Sequence, residues 1–236
     1  MLRQMNIDGS IVTVELIQRP RRSMELQIKG PNQLRVLVPT GLAEPAVFGF
    51  LEKKAGWIRQ GLASAAEREA AAQARMSDGA QWLLLGKLFT LRLQSAASSG
   101  LEFVWKDGCL TANGCCDDLN AVRKGLLKWY RVQAEAYVFP RVEALARQFG
   151  LAPRSVSLSE AKKRWGSCTN RGAVRINTRC VQAPRSVIDY VIIHELSHLS
   201  HLNHSRAFWA VVAARQPDYA AQRNWLKQYG TKLLDW

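Results

Sequence analysis

All four histidines of this 236-residue chain lie within eleven positions, at His194, His198, His201 and His204. His194, Glu195 and His198 have the spacing His-Glu-x-x-His. Residues four apart on an α-helix project from the same face. Two imidazoles placed in this way bind a divalent metal, and the glutamate between them faces a metal-activated water. The spacing therefore predicts hydrolytic chemistry at a metal centre.

The residues before the motif favour the helix that this chemistry needs. Val187, Tyr190 and Val191 supply an apolar lead-in at helical spacing. Ser186, with Asp189 three positions later, resembles a capping box, which predicts that the helix begins near Ser186.

A catalytic zinc takes three protein ligands and keeps one position open. The candidates for the third ligand are His201, His204, Asp218 and Asp235, because no glutamate follows Glu195. His201 lies seven residues after His194, about 10 Å along a straight helix. His204 is better placed if the helix ends near His201 and the chain turns back at Asn203.

We therefore expect one zinc ion per chain, with His194, His198 and His204 as ligands and His201 as the competing third ligand. Glu195 is expected to act as general base. The side chains expected to contact the substrate are Arg164, Trp165, Asn177, His201 and Tyr219. A short strand, Ala173 to Asn177, is expected at a sheet edge, where it accepts an extended peptide.

The remaining patterns predict an α+β chain. Alternating apolar and polar residues indicate strands in the first third, followed by one long helix that opens near Glu44, and then a second group of strands. From Asp117 the pattern is helical, and three helices separated at Asn203 and Pro217 follow Pro184. We expect a β-rich region over residues 1–115, a hydrolase core over residues 116–236 and no internal repeat.

Composition limits the partners and the compartment. The net charge of +14 favours acidic partners and keeps contact with nucleic acid through a basic surface open, although no nucleic-acid-binding motif accompanies it. No apolar run is long enough to span a membrane. The odd number of cysteines, five, and the lack of a secretory signal predict a cytoplasmic protein.

Several longer motifs surround the histidines. They are "RWGSC" at 164–168, "G-x-x-R-I-N" at 172–177, "P-x-x-V-I-D-Y-V-x-x-H-E-L-x-H" from residue 184, "N-H-S-x-x-F-W" at 203–209 and "P-D-Y" at 217–219. With them the chain resembles the YgjP-like metallopeptidase family, which is related to SprT-like zinc metalloproteases. The resemblance implies a zincin-like core, in which an active-site helix packs under a small sheet, and the same three histidine ligands with a catalytic Glu195.

Three functions remain open at this point. The first is a soluble metallopeptidase acting on polypeptide. The second is a metal-dependent phosphohydrolase acting on nucleotides, for which a compact pocket lined by arginines is the expected sign. The third is a basic, nucleic-acid-associated module whose structural metal has a fourth protein ligand.

Overall fold

The computed structural model describes residues 2–7, 9–96 and 100–234. Its contacts divide the chain into two compact units, Met1–Arg75 and Met76–Trp236. The predicted boundary between residues 115 and 116 thus falls inside the second unit. The reason is that the second group of strands shares a hydrophobic core with the helices that follow it.

The first unit contains one four-stranded sheet and two helices. The strands are β1 (Leu2–Ile7), β2 (Ser10–Arg19), β3 (Glu25–Gly30) and β4 (Gln33–Pro39), in the order β1-β2-β4-β3. Only β2 and β4 are parallel. The expected long helix is two helices, α1 (Glu44–Lys53) and α2 (Ala55–Arg75). Their apolar stripes and the alternate residues of β2 and β4 form a core of their own.

The second unit begins with a sheet of the same kind. Its strands are β5 (Gln81–Leu84), β6 (Lys87–Ser95), β7 (Leu101–Lys106) and β8 (Cys109–Gly114), in the order β5-β6-β8-β7. The long helix α3 (Leu119–Gln148) follows and continues through Pro140. Its buried side chains, including Leu126 and Tyr130, join the sheet to the rest of the core.

A small third sheet and three helices complete the second unit. The strands are β9 (Ser155–Ser159), β10 (Gly166–Cys168) and β11 (Ala173–Asn177). The strand order is β10-β11-β9, so β11 is central and the expectation that it lies at an edge is wrong. A 3-10 helix (Thr178–Gln182) leads to α4 (Arg185–Ser197), α5 (Arg206–Arg215) and α6 (Tyr219–Leu234), which confirms the three predicted helices.

Within the described residues, no helix combines the length and the apolar character that crossing a membrane requires.

Candidate metal and catalytic site

The helix α4 carries His194 and Glu195 and is held at its start. It begins directly after Pro184 with no side-chain cap. The predicted capping box is wrong, because Asp189 instead accepts two hydrogen bonds of 2.7 Å from Arg141 of α3. This bidentate ion pair joins the active-site helix to the long helix.

The turn between β5 and β6 also fixes the approach to α4. The backbone amides of Leu85 and Gly86 donate to the carbonyls of Val181 and Gln182, at 2.7 and 3.2 Å. Gly86 has a φ of +78°, and a Cβ there would lie 2.8 Å from the Cα of Pro184. Glycine is therefore required both by the left-handed backbone and by the close approach.

The far end of α4 sends the chain back towards the helix. The helix ends at Ser197, one turn earlier than expected. The Ser197 hydroxyl donates to the Ile193 carbonyl at 2.7 Å and accepts from Arg215 of α5 at 2.9 Å. Because the helix stops here, the following loop can return and place His204 beside His194.

Three imidazoles meet at this end of the helix. Their ligand nitrogens, from His194, His198 and His204, all lie within 4.8 Å of one another. The Nε2 atoms of His194 and His204 are 2.9 Å apart. The ring of Phe208, which is fully buried, lies 4.6–5.0 Å from all three rings, centre to centre. Phe208 therefore forms an apolar floor under the cluster.

The environment keeps the rings of His194 and His204 neutral. Burial, followed by the proximity of His198, His204 and Arg223, lowers the pKa of His194 to about 3. Partial burial, with His198 and Arg223, also lowers the pKa of His204. A neutral imidazole has a lone pair available for a metal, so these two rings are in the coordinating form at neutral pH.

Glu195 is buried against strand β10. Only 6% of its surface is exposed, and a Cβ at Gly166 would lie 2.6 Å from its Cγ and Oε1 atoms. Burial raises the pKa of Glu195 to about 8, while the charge of Arg164 opposes the shift. The glycine of the Trp165-Gly166 pair thus provides the space that the Glu195 carboxyl occupies.

Two expected substrate contacts are placed elsewhere. Asn177 is fully buried, and its amide nitrogen donates to the carbonyls of Ala161 and Arg164 at 2.7 and 2.9 Å. It holds the loop that carries Arg164, and its side chain is not accessible from solvent. The ring of His201 lies outside the histidine cluster. Its carbonyl oxygen accepts a 2.9 Å hydrogen bond from His198 Nδ1, which leaves His198 Nε2 free to face the cluster.

The other expected contacts lie around the site. Arg164 and Trp165 line a cavity of about 240 Å³ together with Tyr190, Glu195 and Leu226. Tyr219 begins α6 and stacks on Trp209 at 5.4 Å and on Tyr190 at 6.5 Å between ring centres.

Sequence reasoning missed Arg223. Its guanidinium lies over the Trp209 ring at 4.7 Å from the ring centre, and its charge contributes to the lowered pKa of His194 and His204. It lies nineteen residues after His204, so no local spacing connects it to the site.

Comparison with known proteins identifies a family. The family described as YgjP-like, metallopeptidase domain, matches residues 22–229. A segment is also similar to the crystal structure of the metallopeptidase zymogen of Pyrococcus abyssi abylysin, with 20% identity over 38% of this chain and 91% of that chain and a TM-score of 0.34. No curated protein matches the chain. Since the family match covers most of the sequence, the chain belongs to the YgjP-like metallopeptidase family, and its α+β fold has a zincin-like core.

Proposed function

We propose that the protein is a zinc-dependent peptidase in which His194, His198 and His204 hold one zinc ion and Glu195 is the general base. The observation that carries the proposal is a cluster of three imidazoles beside a buried carboxyl, in a chain of a metallopeptidase family. We also propose that it works in the cytoplasm, since its five cysteines are all free.

The histidine cluster fits a zinc ion. Two neutral imidazoles that meet through their Nε2 atoms, as His194 and His204 do at 2.9 Å, repel one another unless a proton or a cation lies between them. Among the described residues the cluster contains no fourth His, Cys, Asp or Glu. Three nitrogen ligands and an open position are typical of a catalytic zinc, whereas a structural zinc has a fourth protein ligand.

Glu195 has the properties of a proton carrier. When bound, zinc would supply a water whose pKa is near 7 and would polarise the scissile carbonyl. The raised pKa of Glu195 makes its carboxylate a stronger base than an exposed glutamate. The same carboxyl then returns the proton to the leaving amine. Arg164 lines the same cavity, where its positive charge would stabilise negative charge that develops on the substrate.

The edge strand β10 favours an extended peptide as substrate. Asn177 N donates to Trp165 O at 2.7 Å, and Thr169 N donates to Ala173 O at 3.0 Å. By the alternation of an antiparallel ladder, Gly166 and Cys168 direct their backbone groups away from β11, towards the open edge. A peptide pairing with them would lie directly over Glu195.

The other functions have less support. The comparisons offer none for a nucleotide substrate, and contact with nucleic acid has no support beyond the net charge of +14. A nucleoside triphosphate is therefore included in the test as the competing substrate.

The test compares the zinc-loaded wild type with Glu195→Gln on unfolded casein and on a nucleoside triphosphate, with the metal content of both proteins quantified. We expect casein cleavage to fall by a factor of at least about 10² in the variant, with zinc retained. Glu160→Gln, which removes an exposed carboxylate of the same unit, is the matched control and should keep full activity. If the protein hydrolyses the triphosphate but not casein, and this hydrolysis depends on Glu195, the peptidase proposal is wrong and the protein is a phosphohydrolase.

A further inference from the structure

Two cavities of different chemistry lie at opposite ends of β10. The first, of about 240 Å³, includes Trp165 and Gly166 at the beginning of the strand. The second, of about 340 Å³, includes the turn at 169–172 that follows the strand. The first is lined by Glu195 and the second by His198. A peptide along β10 would therefore pass both cavities, with the candidate catalytic groups between them.

Beside the candidate catalytic groups, part of the wall of the first cavity is apolar. Val191 of α4 and Leu226 of α6 line it together with the indole of Trp165. That indole packs closely against α6, since a Cβ at Gly230 would lie only 2.9 Å from its Cζ2 atom. A cavity of this size suits one side chain of a substrate more than a whole small ligand. It fits a leucine or phenylalanine side chain.

The second cavity is cationic. Arg154 and Arg171 line it, and none of its lining residues is acidic. Neither arginine forms an ion pair with any carboxylate in the described part of the chain. The two segments that carry them are held together by a 2.9 Å hydrogen bond from Arg154 N to Gly172 O. Two guanidinium groups without acidic partners match a carboxylate, which they bind through paired hydrogen bonds.

We propose that the protein selects peptide segments with a large apolar side chain on one side of the cleaved bond and an aspartate or glutamate on the other. The apolar side chain enters the cavity beside Trp165, and the acidic side chain binds Arg154 and Arg171. This inference rests on the proposed peptidase function. It names the substrate class as acidic polypeptide with interspersed apolar residues, in agreement with the basic charge of the chain.

Binding is tested separately from catalysis. Zinc-loaded, full-length Glu195→Gln is titrated with fluorescein-labelled peptides that carry Leu and Asp on either side of a central bond, and the anisotropy is recorded. Replacing the peptide Asp by Asn should weaken binding about tenfold, since one charge-assisted contact is lost. Replacing the Leu by Ala should weaken it by a similar factor.

Protein variants assign each preference to its cavity. With Arg154→Gln and Arg171→Gln combined, the Asp and Asn peptides should bind alike, and Arg171→Glu should favour a Lys peptide. Arg175→Gln is the matched control. Arg175 is exposed on β11 and, since its neighbours Val174 and Ile176 face the core, it points to the opposite face of the sheet. Leu226→Trp should fill the first cavity and make the Ala peptide the better ligand.

The outcomes separate the two proposals. Equal binding of Asp and Asn peptides, or a preference that survives loss of both arginines, overturns this inference. Competition by a nucleoside triphosphate that depends on Arg154 and Arg171, without any preference for acidic peptides, also overturns it. If the wild type binds the Asp peptides selectively but cleaves none of them, the peptidase function fails and the binding specificity stands.

Discussion

The two four-stranded sheets of the molecule have the same topology but different tasks. In both, two antiparallel hairpins join through a central parallel pair, β2 with β4 and β6 with β8. The first sheet packs with α1 and α2 around its own core. The second shares its core with α3, α4 and the site. The two sheets thus share both their strand order and the directions of their strand pairs.

The difference lies in one turn. In the second sheet the β5–β6 turn donates two backbone hydrogen bonds to the 3-10 helix that precedes α4, and Gly86 touches Pro184. At the corresponding β1–β2 turn, Gly9 also has a left-handed φ, of +86°, but no atom of the described residues beyond its chain neighbours lies within 4 Å of where a Cβ would be. The first sheet thus belongs to a separate unit, whereas the second sheet, with the same topology, supports the active-site helix. Function resides in what is attached to the sheet.

The largest effect that distinguishes the two units is expected at two crowded glycines. Gly166→Ala places a Cβ 2.6 Å from Glu195, whereas Gly61→Ala in the first unit places one 2.9 Å from the Ile28 side chain. Because Glu195 must move by a substantial part of an ångström, kcat/KM of Gly166→Ala should fall about 10²-fold or more with zinc retained.

Gly61→Ala should change only stability, by about 1–3 kcal/mol. Peptidase kinetics and thermal unfolding of both variants provide the comparison. Comparable losses of activity in the two variants would show that crowding anywhere in the chain disturbs the site, and the distinction between the units would fail.

The next largest effect is expected at the two turn glycines, Gly86 and Gly9. At either position, alanine destabilises the folded state by about 1–2 kcal/mol, because it must adopt a left-handed backbone. Gly86→Ala must in addition displace Pro184, so its free energy of unfolding should fall by about 2–3 kcal/mol and its activity should drop with it. Gly9→Ala should lose about 1 kcal/mol and keep its activity. Urea unfolding and peptidase kinetics measure the stability and the activity of both variants. A fully active Gly86→Ala would contradict the idea that the turn supports the active-site helix.

Local rules predicted the part of the site that lies on one helix. His194 and His198 are four residues apart, and that spacing alone places them on one face. The third histidine depended on where the helix ends. It ends at Ser197 rather than near His201, because Ser197 and Arg215 close the last turn. The prediction that His204 lies beside the other two agrees with the structure, although the helix ends one turn earlier than predicted.

Tertiary packing determined the parts that the sequence could not predict. Gly166 reads as a turn residue, and only the approach of Glu195 from another element shows why glycine stands there. Asn177 looked accessible at the end of a strand, but it is buried because β9 pairs with β11 and places β11 in the centre of the sheet. The alternation of apolar and polar side chains does not extend clearly over strand β1, so that pattern does not predict it.

The smallest effect concerns pH, and it separates a buried carboxyl of the second unit from an exposed one of the first. Hydrogen bonds from Gln27 and Arg21 lower the pKa of the exposed Glu25, so its contribution to stability changes only in acid. Burial raises the pKa of Glu195 from 4.5 to about 8 in the metal-free chain. Between these values the unfolded state has released a proton that the folded state keeps, so this group makes stability fall as pH rises.

His194 acts in the opposite sense, because its pKa is lowered from 6.5 to about 3 and its contribution rises with pH only below 6.5. Between pH 6.5 and 8 the Glu195 contribution is therefore not offset by His194, and the metal-free chain should lose about 2 kcal/mol of stability. Urea unfolding of the metal-free chain at both pH values, beside Glu195→Gln, measures this loss. The variant should show little of this loss of stability, since glutamine does not ionise. An equal loss in the variant would mean that another group titrates and that Glu195 is already ionised in its buried position.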